Sequence, residues 1–458
     1  MKIPKQISIK KTVVIILISV LITTIGSYYA FATTSTSTFT ISPGIYPGAP
    51  SYTIWKEGNY YFAKNSNGKI EFSGTDASQV IQSAINVLTS GKIFIKRGVY
   101  DITSGLLITD KNIILQGEGW GKYPFKEEGT VLYKKFNGDL ITINYTSDYD
   151  GTFVIRDMAL VSDKDTYTGS GIVVENAAGG WLLENLRIRD FDGPCIKVTN
   201  CGKHTLRKIF ASQTNEDVIY YYNVGDFQWY DVEADWGEAE GHAGAYLADC
   251  SGEIIGGHFE GYYGIQVVSG HITIIGAEIS NAKKTGLVLS SVTSAIIKGC
   301  RLSNNNEGDY SDGYGILVYA SSNVIICGNR IYDVRSPHRM RYAIYESGAE
   351  EQTGNKYICN WLSGWVAKPI NKVWSDTEIR NNAGYKTENS GTATIPSGQT
   401  SVTVNHGLAG APTIVTVTPS ADIGDVWVDS VTSTSFTIHC ETAPSSDVTV
   451  YWYAEYKP

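Results

Sequence analysis

The residues best suited to chemistry in this chain are acids and one histidine that recur at a fixed offset. Glu233, Asp235, His258, Glu260 and Glu278 lie in successive copies of one short phrase: Asp231-Val-Glu-Ala-Asp235, Gly256-Gly-His-Phe-Glu260, Gly276-Ala-Glu-Ile-Ser280. Arg187 and Arg189 hold the same offsets in an earlier copy, and Arg301 in a later one. Crowded carboxylates raise one another's pKa, so one can donate a proton while its neighbour stays ionised. Two carboxylates about 5 Å apart suit retaining glycoside hydrolysis, and a wider pair suits the inverting reaction. Carboxylate oxygens, here Asp235 and Glu260, could instead hold Ca²⁺; an arginine or histidine could then take the proton α to a uronate carboxylate. Arg187, Arg189 and Arg301 are candidates to meet a substrate's acidic groups. Trp236, with Trp229 and Tyr230 close in sequence, offers rings on which sugars could stack. The segment Glu238-Ala-Glu240-Gly-His242 adds two acids and a histidine to the same copy. The plain alternative stays open, because an exposed sheet face needs charge for solubility and Glu278 opposite Arg301 is an ordinary cross-strand pair.

What positions these residues is a repeat. Short runs of alternating β-formers meet at a Gly, Asn or Asp pivot: Gly117, Asp157, Asn185, Asp231, Gly256, Gly276, Gly299, Gly328, Asn360 and Asn381, with Lys208 filling one copy. Most pivots are about 20–30 residues apart, the length of one solenoid coil. The wider gap from Gly117 to Asp157 calls for a loop or one further coil. Apolar residues fall four and two before each pivot and one and three after it, as in Phe227/Trp229 and Val232/Ala234. A period of two points them inward. Residues two and four past the pivot then point outward, and stacking at about 4.8 Å per coil gathers the acids and His258 on one face. Asn281, Asn304 and Asp333, five past their pivots, form a turn ladder, while His204 and His271 have structural roles.

Ahead of the repeat, 33–72 holds a Thr/Ser linker and aromatic hairpins. Asp76 or Thr75 can cap a helix in which Val80, Ile81, Ala84, Ile85 and Leu88 share one side. The order Gly74-Thr-Asp-Ala…Ile81-Gln-Ser-Ala-Ile85, Gly91-Lys-Ile-Phe-Ile95, Gly98-Val-Tyr100, Leu115-Gln-Gly-Glu-Gly119 resembles the N-terminal part of the pectate-lyase superfamily. That resemblance implies a right-handed parallel β-helix over 73–386, its N-terminal end capped by the helix. It leaves the reaction open among lyases, hydrolases, epimerases and inactive surface proteins. Arg335-Ser-Pro-His-Arg339-Met-Arg341 is only distantly similar to that superfamily's Arg-x-Pro-x-x-Arg, and a basic loop accounts for it. Polygalacturonase signatures are absent.

Residues 391–458 form a second β-domain with short alternating strands and Gly/Pro/Ser turns, a small β-sandwich. Gly407-Leu, Ala411-Pro-Thr-Ile-Val415, Ser435-Phe-Thr and Val450-Tyr-Trp-Tyr-Ala454 resemble the H-type lectin domain, whose members are carbohydrate-binding trimers. A glycan partner and a homotrimer are what that resemblance implies. The expected class is therefore all-β: a parallel β-helix with a capping helix, followed by a β-sandwich.

Composition fits. The chain has 30 Tyr, 47 Gly and only 3 Met, with 18% charged residues. A net charge of −9 argues against nucleic acid, which needs a basic face. Lys2, Lys5, Lys10 and Lys11 precede the apolar run Val13–Ile25 and Ala30-Phe-Ala32, so 1–32 has the make-up of a signal peptide, or of an anchor if uncleaved. A membrane is a partner only in that second case. The expected location is secreted or cell-surface. Of the 7 cysteines, Cys327 and Cys359 each precede a pivot by one, and stacked coils would bring them to disulfide distance. Cys195 and Cys201 are the second candidate pair.

The sequence thus leaves two functions standing. One is an extracellular enzyme acting on an acidic polysaccharide by lyase or glycoside hydrolase chemistry. The other is a non-catalytic cell-surface protein with a glycan-binding or a structural, adhesive role.

Overall fold

A computed structural model describes residues 48–121, 128–149, 151–237 and 239–458. The expected signal segment and Thr/Ser linker, and Glu238, lie outside the described residues. No described helix is long and apolar enough to cross a membrane.

The described residues open with an antiparallel meander, Tyr52–Glu57, Tyr60–Asn65 and Ile70–Gly74, as its Gly-Asn and Asn-Gly turns require. The helix Ala77–Val87 follows. Asp76 caps it by accepting from the Ser78 and Gln79 amides. Val80, Ile81, Ala84 and Ile85 are buried among the side chains of the first coils. On its polar side Gln82 exchanges hydrogen bonds with the Leu107 backbone, accepting at 2.8 Å and donating at 2.9 Å.

From Ser90 onward each coil contributes strands to a stack paired in parallel. One inward column runs Leu183, Leu206, Trp229, Ile254, Ile274, Ile297, Ile326, Tyr357, Ile379, each opposite the next. All of them except Ile379, at 6%, are completely buried. Trp229 therefore belongs to the core, packed on Tyr221, Phe227 and Phe259, and offers no ring to a sugar. His204 is likewise internal. It stacks on Trp181 at 3.8 Å, and burial drives its pKa down to about 3.

The pivots are corners in left-handed backbone: Asp157, Asn185, Lys208, Asp231, Gly276, Gly299 and Gly328 all have φ between 50° and 66°. That region suits Gly and, with a small penalty, Asn and Asp. The wide gap after Gly117 is a loop and not a coil, because Val154 pairs with Ile114 while Ala159 pairs with Val131 beyond the loop. A third strand in each coil, for example Ile172–Ala177 or Thr285–Ser290, was not legible from the pivot pattern.

One corner is displaced from its expected place. Cys359, not Asn360, has the left-handed φ of 57°. Cys327 consequently faces Ile358 across the ladder, and Cys359 falls level with Gly328. The expected Cys327–Cys359 bond does not form, and all seven cysteines, Cys195 and Cys201 included, are free thiols. Asn360 instead joins a buried ladder one residue past the corners. Its Oδ1 accepts from the Asn329 amide and side chain at 3.0 and 3.1 Å. Its Nδ2 donates to Ile326 O and Asn382 Oδ1 at 2.9 and 3.0 Å. Asn360→Leu removes these and strands donors on Asn329, so it should lower unfolding free energy by about 2–3 kcal/mol. A denaturant midpoint equal to wild type would refute that accounting.

The C-terminal region folds as two three-stranded antiparallel sheets. Glu388–Ile395, Val448–Glu455 and Ile414–Pro419 make one; Ser401–Asn405, Ser435–Cys440 and Val426–Asp429 make the other. Ile395, Phe436, Ile438, Val450 and Ala454 form their shared core.

Candidate functional site

The corner geometry sets two outward columns on one face. Two past the corner they run Ala159, Arg187, Phe210, Glu233, His258, Glu278, Arg301, Arg330, Trp361, each opposite the next. Four past the corner they include Arg189, Ser212, Asp235, then Ser280, Ser303, Tyr332, Ser363. Glu260 belongs between Asp235 and Ser280, on a strand whose register to its neighbour shifts between Ala234 and Gly237. His258 is half-buried and Phe259 fully buried, which settles the outward residue of that coil.

His258 is the centre of the cluster. Its Nδ1 lies 3.0 Å from Asp235 Oδ1, and its Nε2 lies 3.5 Å from Glu260 Oε1. Nε2 also meets Ser280 Oγ at 2.8 Å. The Asp235 oxygen is shielded from water and has no aligned donor, so its contact with the imidazole is ionic more than a directed hydrogen bond. Asn281 Nδ2 donates to Glu260 Oε1 at 2.9 Å, so this member of the expected turn ladder also braces the site. Asp235 above all, through contact and charge, with Glu260 and Glu233 adding to it, holds the His258 pKa above its ordinary value despite burial. Glu233 has its pKa raised, by burial first and then by the Asp235 charge, against opposing pulls from His258 and Arg187. One face thus holds a carboxyl disposed to keep its proton beside a carboxylate–imidazole pair whose charged form is favoured.

Glu278 turns away from this group and pairs with Arg301. Arg189 is nearly buried and pairs with Asp190 at 2.7 Å. Arg187 lies over the Trp120 ring at 5.4 Å, and Trp120 packs against Phe210. Phe210 stands where the outward column puts it, between Arg187 and Glu233; Trp120 was not expected at the site and comes from the inserted loop, which no repeat alignment places. Trp236 is 52% exposed beside Asp235. His242 lies apart, 3.6 Å from Asp217. Asp333 is a structural anchor. Burial would raise its pKa, but Arg335 and the Arg335, Arg339 and Met340 amides outweigh that and bring it down to about 2. The Arg335–Arg341 segment is thereby fixed as a loop.

The His258 imidazole lies against both Asp235 and Glu260, and among the described residues no group of three His, Cys, Asp or Glu is arranged to hold a metal. A recess of 470 Å³ lies elsewhere, among Lys368, Lys372, Trp374, Tyr385 and Tyr456.

Residues 219–408 match the family model described as a right handed beta helix region. The A-module of a mannuronan C-5 epimerase from Azotobacter vinelandii aligns over 67% of this chain and 95% of its own, with TM-score 0.50 and 15% identity. The Dettilon tailspike protein aligns over 83% and 91%, with TM-score 0.50 and 12% identity. A tailspike of Pseudomonas phage phi297 aligns over 83% and 92%, with TM-score 0.50 and 10% identity. The fold is a right-handed parallel β-helix. No curated protein matches the chain. At such identities the likeness speaks for the fold alone.

Proposed function

We propose that this is an extracellular carbohydrate-active β-helix protein that cleaves an acidic polysaccharide, by lyase or glycoside hydrolase chemistry, on the face bearing Glu233, Asp235, His258 and Glu260. The observation that carries the reading is the half-buried Asp235–His258–Glu260 contact with Glu233 beside it. Glu233 would protonate the departing glycosidic oxygen. Asp235 would act as base or nucleophile, and His258 would hold Asp235 and Glu260 in place as charged groups. Both reaction classes need a proton donor and an ionised partner, so the geometry serves either. The epimerase named above, which by its name acts on mannuronan, supports a carbohydrate track on this fold. The helix Ala77–Val87 would shield the N-terminal end of the stack. Secretion through 1–32 and a C-terminal β-sandwich of H-type-lectin character complete the reading.

The test is to incubate the full chain with a panel of acidic and neutral polysaccharides. Unsaturated uronate absorbance identifies a lyase, and reducing ends without it identify a hydrolase. Glycan binding without any cleavage would favour the second function, a non-catalytic surface protein. Exposed Trp427, Tyr451 and Tyr453 on the C-terminal sheets favour that second reading, as rings available to sugars or to further copies of the chain.

The pH profile gives a separate check. Glu233 must be protonated to donate, so activity should fall as pH rises through a midpoint above the ordinary 4.5. Arg187 opposes that rise, so Arg187→Gln should move the limb to higher pH. A limb that stays put or moves down in this variant would remove Glu233 from the donor role.

A further inference from the structure

The outward columns continue past the acid cluster into a second group of side chains. Arg301, Arg330 and Trp361 follow Glu278 in one column, and Tyr332 lies in the other beside Arg330. Arg301 is neutralised by Glu278. Arg330 is not: its guanidinium lies 4.9 Å from the Trp361 ring centre and 5.7 Å from that of Tyr332. Among the described residues no carboxylate pairs with it. Two arginines directly opposite on adjacent coils repel, and only one is compensated, so this end of the face carries an uncancelled positive charge on an otherwise acidic protein. Trp361 meets Tyr332 edge-on at 5.8 Å, which holds the indole in place. On its other side the next coil presents Ala383, which is small and exposed, and Trp361 stays 41% exposed. The result is a fixed aromatic surface with a cation over one side and only the small Ala383 beside the other.

We propose that Arg330, Trp361 and Tyr332 form a subsite for an acidic sugar of an anionic glycan. The pyranose would lie on Trp361, and its carboxylate or sulfate would meet Arg330. The inference rests on the carbohydrate-track reading of this face, but not on the acid cluster being catalytic. Trp361 is four coils from His258, about 19 Å along the axis. A pyranose is about as long as a coil is thick, so a chain of about five sugars reaches both. Short oligomers would miss one end.

The experiment is a titration of the full chain, followed by calorimetry, with a uronate trisaccharide, a uronate octasaccharide, a sulfated octasaccharide and a neutral octasaccharide. The wild type should bind at least one anionic octasaccharide about ten-fold more tightly than the neutral one. The uronate and sulfate arms decide which anion is preferred. Trp361→Ala should weaken that binding about ten-fold, while Trp361→Tyr keeps most of it. Arg330→Gln should remove the preference for the anionic chain and leave neutral binding as it was. Both side chains are exposed, and unchanged melting would show that the variants fold. Equal binding of neutral and anionic chains by the wild type, or wild-type affinity in Trp361→Ala and Arg330→Gln, would overturn the proposal. Repeating the titration in Asp235→Asn separates the two claims. Trp361-dependent binding by a wild type that cleaves nothing sinks the catalytic reading alone. Cleavage with affinity indifferent to Trp361 and Arg330 sinks the subsite alone.

Discussion

Asp235→Asn is expected to lower cleavage of an acidic polysaccharide by about 10³-fold, with the fold intact. The substitution keeps the shape of the side chain and removes its charge. His258 then loses the anion 3.0 Å from Nδ1, the first cause of its raised pKa. Glu233 also loses the neighbouring charge that helps keep its proton on. Acid, base and their positioning cation are therefore disturbed together, which is why the loss should exceed that of any other single change at the site. Glu260→Gln should cost less, about ten-fold, because Glu260 lies 3.5 Å from the imidazole and Asn281 also holds it. Initial rates by uronate absorbance and by reducing ends measure both. Wild-type rates in Asp235→Asn would move the chemistry off this face.

The largest expected effect on stability lies at Glu346, far from the acids. This carboxylate is completely buried in the last coils. It accepts from Tyr357 Oη at 2.7 Å and Thr377 Oγ1 at 2.5 Å, and from the Val373 and Trp374 amides at 2.8 and 3.2 Å. Tyr357 is itself sealed, and burial with the adjacent carboxylate pushes its pKa far up. Glu346→Ala strands four donors in a fully buried site, at a cost of about 3–5 kcal/mol. Glu346→Gln retains part of the set and should cost about half as much. Equilibrium unfolding in denaturant distinguishes the two. Equal stability of Glu346→Ala and wild type would mean the segment around Trp374 rearranges to satisfy its own donors.

Much of this molecule is local enough to be legible in the chain. Alternation on either side of a Gly, Asn or Asp corner fixes which side chains point in and which point out, because a strand's period is two. That rule alone places Glu233, Asp235, His258 and Glu260 on one outer face, and stacking then makes neighbours of residues a coil apart in sequence. The same rule places Trp229 inside, which overrides its proximity in sequence to Trp236. It fails where chemistry hides the corner. Cys359 takes left-handed backbone usually held by Gly or Asn, so the coil slips by one and the disulfide expectation fails with it. The third strand of each coil meets a left-handed corner of its own, at Asn176, Asn200, Asn223, Asp249, Ser269 and Ser291, in a second series of positions outside the pivot pattern.

What the sequence by itself determined is the column each acid occupies. Only the tertiary structure decided how those acids are used. Glu278 is spent on Arg301, while Asp235 and Glu260 close on His258, because these are choices among cross-coil neighbours that alternation leaves equivalent. It also decided the ends of the face: Trp120 reaches in from a loop, and Arg330 is held over Trp361 one coil away.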